Sequence, residues 1–200
     1  GIPFLAEKII VERDLSFLEE HFCKYHISQI SSEKTVSVIK KAKEEGKIFT
    51  TGVSINNLSL NENDIGDFRT FLKLSPPLRT ERDRQSLVQG VNDGIIDVIV
   101  SDHKPEDEES KRLTFSKAAT GASGIETLLS LTLELYHNKS IKLNKLIASI
   151  TSNPAKILDI DKGSLQKGKD ADLCIVDIDK PWVVSKDKFK SKSKNTPIEN

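Results

Sequence analysis

Asp102 follows an apolar, largely β-branched run, IIDVIV at residues 95–100, from which only Ser101 separates it. A carboxylate that a buried strand delivers to its own exit can take a proton from water and pass it to a leaving group. Aspartate also simply ends strands, and the residues alone leave both readings open. The other groups with chemical potential are thinly spread. His26 and Gln29 share the stretch HISQIS (26–31), where a three-residue offset on a strand sends them to opposite faces, so His26 reads as a packing or hydrogen-bonding histidine. Cys23 and Cys174 lie far apart, which supports neither a disulfide framework nor a C-x-x-C metal site; they read as part-buried thiols of a reducing compartment.

A strand-end carboxylate needs a scaffold that ends several strands on one face. Residues 25–31, 47–54 and 95–100 read as strands, and the intervening patterns as helices. Glu7–Phe22 carries Ile9, Ile10, Phe17, Leu18 and Phe22 on one stripe. The helix after Ser31 or Ser32, a capping residue, places Val36, Ile39 and Ala42 at helical spacing and stops at Gly46. Residues 80–93 turn Leu87, Val88 and Val91 inward, and further helices are expected over 124–139, 143–150 and 153–158. A long polar connection containing SPPLR (75–79) intervenes. Strands alternating with helices at this spacing imply βαβ units and a parallel sheet. A closed (β/α)8 barrel needs about 250 residues, and roughly three units are visible. The chain also lacks methionine, even at position 1, so it is expected to be part of something longer. From Gly163 onward, turn glycines around short β-like runs suggest a compact antiparallel appendage, followed by a solvated lysine–serine tail.

Composition narrows the partners. Lys+Arg and Asp+Glu balance at 30 each, leaving a formal charge of zero and no field to recruit nucleic acid or a membrane surface. No apolar stretch approaches the ~18 residues a membrane helix needs. Gly1-Ile2-Pro3 opens no secretory signal, so the expected compartment is the cytoplasm.

Six stretches, taken in order, resemble the C-terminal half to three-fifths of a class I dihydroorotase, a cyclic amidohydrolase: SPPLR (75–79), IIDVIVSDHKP (95–105), FSKAATGASGIETLL (115–129), SNPAKIL (152–158), GSLQKGKDADLCIVD (163–177) and SKSKNTP (191–197). The resemblance implies an α/β fold: the last three or so units of a TIM-like (β/α)8 metallo-dependent hydrolase barrel over residues 1–160. Residues 161–200 would then be the C-terminal β segment of a small composite β-sandwich domain. It implies zinc-dependent, reversible hydrolysis of dihydroorotate to N-carbamoylaspartate in pyrimidine synthesis, by a homo-oligomer. Asp102 matches the family's catalytic, metal-contacting aspartate, and His103 reads as structural.

Several positions depart from the family. Gln29 stands where a metal-binding histidine is usual, and an amide is a poor zinc ligand. Asn56-Asn57 replace paired histidines, and Ser75 replaces a substrate-touching asparagine. Glu106 replaces the last histidine of the Asp-His-Ala-Pro-His pattern, which helps handle substrate, and there it would repel a dianionic product. Thr120 and Gly121 match substrate-side positions by place in the motif, and TGASG (120–124) offers glycine backbone for close approach. The charged loop KPEDEESKR (104–112) reads as a solvated surface loop. Two functions stay open: a dihydroorotase with a degraded zinc site, or a non-catalytic homologue, without metal, that serves as a structural partner of aspartate transcarbamoylase.

Overall fold

Ser32 starts the best-defined helix: its hydroxyl accepts from the Thr35 backbone N–H, satisfying a donor that the first turn leaves free. In the computed structural model, which describes residues 2–198, this helix is α2 (Glu33–Glu44), ending at Glu45 with Gly46 at φ +85°. It lies between two short strands, β1 (His26–Ile27) and β2 (Thr50–Ser54). The helix α4 (Glu81–Asn92), opened by a reciprocal Thr80–Asp83 capping box, leads to β3 (Val98–Val100). The sheet order is β1-β2-β3 and both pairings are parallel, with His26 opposite Thr50 and Val53 opposite Ile99. The strands are shorter than their apolar runs, although Ile30 N–H still reaches Gly52 O at 3.1 Å. Gly52 allows that approach, because a Cβ there would stand 2.4 Å from Ser28 O.

Helices and sheet bury one core, in which Ile30, Ile39, Val53, Leu87, Ile99 and Leu146 are each 3% exposed or less. Each such side chain contributes ~1.5–3 kcal/mol by leaving water. The connection expected to be polar and irregular is organised. It contains α3 (Ile55–Ser59) and two 3-10 turns, Glu62–Ile65 and Thr70–Leu72. Leu72, Leu74, Leu78 and Ala122 form a second small core beneath it. A short helix α5 (Glu108–Lys111) interrupts the loop after β3, and α6 (Leu128–His137), α7 (Leu143–Ile150) and α8 (Ser152–Ile157) complete the helical layer.

Three expectations are corrected. The first helix, α1, spans Phe4–Glu20 and buries Val11 and Leu15, with Leu18 packed beside them, while Ile9, Ile10 and Phe17 are about half exposed. The reason is polar: the Glu7 carboxylate accepts from Ser31 N–H at 3.0 Å and Ser32 N–H at 3.2 Å, turning the 7-11-15-18 stripe inward. Second, Cys23 and Cys174 are both exposed. Third, no strand forms among the described residues beyond 160, and Leu165 and Ile175 are 87% and 99% exposed. A β-run without a partner to complete its ladder leaves its backbone to water. The end of the tail is not solvated, because Phe189, Asn195 and Thr196 are buried. Among the described residues no helix is long and apolar enough to cross a membrane.

Candidate functional site

The parallel sheet sends the ends of β1, β2 and β3 to one rim, and two of those exits meet. Gln29, just past β1, donates its Nε2–H to Asp102 Oδ1 at 3.0 Å across 73 residues of sequence. Asp102 takes φ +48°, a left-handed conformation that aspartate tolerates better than most residues and that turns the chain sharply off β3. Burial raises the proton affinity of its carboxyl above the ordinary value, and the hydrogen bond from Gln29 opposes part of that shift. A half-buried carboxylate with raised proton affinity, one oxygen fixed by a neutral donor, is suited to accept and return a proton.

His103 is held by backbone. Its Nδ1 accepts from Gly124 N–H at 3.2 Å and Ile125 N–H at 3.4 Å, which in the neutral ring puts the proton on Nε2. Two glycines make this fold possible. A Cβ on Gly124 would lie 2.2 Å from Ser101 O, and one on Gly121, at φ +142°, would lie 2.7 Å from Lys104 O. The close approach expected of TGASG is therefore made to the chain's own Ser101–Lys104 backbone. His26 bonds elsewhere: its Nδ1 lies 2.7 Å from Thr50 Oγ1, and burial lowers its pKa.

The remaining expected positions disperse. Ser75 is exposed on the way into the Pro76-Pro77 turn, and Thr120 is half-buried beside Gly121. Asn56 and Asn57 are buried. Asn57 Nδ2 donates to Pro77 O at 3.1 Å, whereas the Asn56 amide finds no partner among the described residues. The charged loop is anchored from inside, since Lys111 is buried and its Nζ donates to Ala119 O at 2.8 Å and Thr70 O at 3.1 Å. A cleft of about 860 Å³ opens between this loop and the tail, with His103, Glu106, Lys192 and Lys194 among its walls. Asp102 and Gln29 do not line it, so the cleft and the carboxylate are neighbouring features joined through His103.

Metal ligation fits poorly. Around Asp102 stand one carboxylate and one amide, and no group of three His, Cys, Asp or Glu side chains among the described residues could hold an ion. Zinc asks for about four nitrogen, sulfur or carboxylate donors. What sequence reasoning missed is the tail: Asn195 reaches the loop after β3, and the signal for it was the SKSKNTP stretch, read only as a family match.

The amidohydrolase family pattern matches residues 2–199. A protein named dihydroorotase from Ehrlichia canis is 43% identical over 201 residues, covering all of this chain and 45% of its own length. Another from Syntrophus aciditrophicus is 40% identical over 198 residues, 99% of this chain and 46% of that protein. The chain thus spans somewhat less than half the length of these relatives. Among solved structures, an L-hydantoinase (dihydropyrimidinase) from Arthrobacter aurescens superposes with TM-score 0.93 at 30% identity, covering 98% of this chain and 45% of that one. Dihydropyrimidinase from Brevibacillus agri gives 0.78 at 25% identity over 84% of this chain and 39% of its own.

Proposed function

The chain belongs to the amidohydrolase family, and from that premise we propose that it is the C-terminal part of a dihydroorotase, supplying the proton-transferring carboxylate for opening and closing a cyclic amide. Its residues 1–160 are then a partial barrel and 161–200 the small domain's C-terminal segment. The observation that carries the reading is Asp102, half-buried at a strand exit with its proton affinity raised. In hydrolysis, water oxygen bonds to the amide carbonyl carbon, the ring C–N bond breaks, and Asp102 carries the water's proton to the departing nitrogen. His103, its Nδ1 pinned by two backbone N–H groups, holds the returning loop against the chain that follows Asp102. Dihydroorotate and N-carbamoylaspartate are the proposed substrate pair. The donors in this chain do not make a zinc site, so no step here passes through a metal.

The Gln29–Asp102 hydrogen bond favours a second reading, a non-catalytic homologue bound to aspartate transcarbamoylase, because it satisfies the carboxylate with an amide where the family places a ligand. One experiment separates the two: turnover of dihydroorotate and zinc content of the full-length product purified without chelator, with its Asp102→Asn and Gln29→His variants. A working enzyme turns over and loses ~10²–10⁴-fold in Asp102→Asn. The non-catalytic homologue shows no turnover and no metal, and it co-purifies with the transcarbamoylase; Gln29→His then raises its zinc content.

A further inference from the structure

The loop after β3 leaves the rim along one arm, residues 103–108, and returns along another, 119–125, with His103 bridged to Ala122. One buried side chain from the far end of the chain holds both arms. Asn195, 3% exposed, accepts at Oδ1 from the Glu106 backbone N–H at 3.1 Å on the outgoing arm. On the returning arm the same oxygen accepts from Ser123 Oγ at 3.2 Å, and Nδ2 donates to Gly121 O at 3.2 Å. Ser193 Oγ also donates to Oδ1, and Ser123 N–H donates to the Asn195 carbonyl at 3.0 Å. Each partner fixes the amide's orientation: a backbone N–H demands an acceptor and a carbonyl demands a donor. The segment before it is fastened as well, with Lys190 and Ser191 N–H donating to the Glu126 carboxylate at 2.8 and 2.9 Å.

We propose that Asn195 is a positioning residue of the candidate site, its one buried amide fixing the spacing of the two loop arms that carry Glu106 and Thr120-Gly121, the positions that match the substrate side of the family's motif. The inference rests on the dihydroorotase reading. It goes beyond it by giving the C-terminal tail a role in ligand binding. Asn195 touches the arms and not Asp102, so its loss weakens binding while leaving proton transfer in place.

The test compares the full-length product with Asn195→Asp and Ser123→Ala. Aspartate keeps the acceptors and loses the Nδ2 donor to Gly121 O; alanine at 123 removes the hydroxyl that the Asn195 Oδ1 and the Ser193 carbonyl share. The readings are N-carbamoyl-L-aspartate affinity by calorimetry, KM and kcat of ring opening, and amide exchange over 103–108 and 119–125. Asn195→Asp is expected to weaken binding and raise KM by about tenfold, with kcat within about threefold. Exchange should quicken in both arms by a similar factor while α2 and α4 stay unchanged. Ser123→Ala should shift the same quantities less, and it decides the matter if Asn195→Asp fails to fold. Unchanged affinity and exchange, or a loss of kcat at constant KM, overturns the inference and leaves the dihydroorotase reading standing. A wild-type product that binds no N-carbamoylaspartate overturns that reading, and the positioning role falls with it.

Discussion

Lys111 carries a charge into the interior, where its Nζ donates to the carbonyl oxygens of Thr70 and Ala119. Burial pulls its pKa down from 10.5 to about 8. The unfolded chain therefore binds more protons than the folded one between about pH 8 and 10.5, so the folded state gains stability as pH rises through that window. Below it both states are protonated and the penalty is complete. At constant ionic strength, the wild-type melting temperature should rise relative to that of Lys111→Met from pH 8 to 10 and hold a constant offset from it between pH 6 and 7.5. Nothing in EDEESKR marks this lysine off from its exposed neighbours, because its burial depends on carbonyls from residues 70 and 119. Gln29 is the opposite case. Its place beside the strand-end aspartate was legible as a departure from a family pattern, and the structure adds the 3.0 Å bond that joins them.

At the scale of elements, the glycines after the loop decide how closely α6 and the loop can approach β3. Gly124→Ala would press a methyl group to 2.2 Å from Ser101 O, and the β3 exit would have to move. A loss of ~2–3 kcal/mol in urea denaturation is expected, in the range of overpacked interiors. Gly46→Ala is the control: φ is +85° but the space is open, so only the backbone term of ~1 kcal/mol applies. The three strands, α2, α4 and the last three helices were legible because local signals agree with the tertiary answer. The Ser32 and Thr80 caps fall where the periodic patterns begin. The buried face of α1 was not legible, since its apolar residues outnumber the places available to bury them and Glu7 makes the choice. The tail misled in both directions: the β-like runs from Gly163 onward form no ladder among the described residues, while the lysine–serine end is held through Asn195 and Glu126.

The molecule as a whole presents unfinished surfaces. Among the described residues β1 pairs with β2 alone, which leaves one edge open to further pairing. Phe4, Leu5, Ile9, Ile10 and Phe17 put a band of apolar surface on α1, and Trp182 and Val183 add more on the tail. Exposed apolar surface of this kind favours association. Produced by itself, the 200-residue chain should sediment as concentration-dependent oligomers, and Ile10→Lys with Phe17→Lys should shift the distribution toward monomer.

The parallel sheet also divides the molecule into two ends. Gln29, Asn56 and Asp102 follow strand exits, whereas Gly46 and Gly94 sit in the turns that lead into β2 and β3 at the opposite rim. A side chain at Gly46 would meet nothing within 4 Å. That turn is accordingly a natural attachment point: an affinity tag or a surface tether inserted there would leave the rim that carries Asp102 facing free solution, so immobilised protein could be screened against ligands without crowding the face that would bind them.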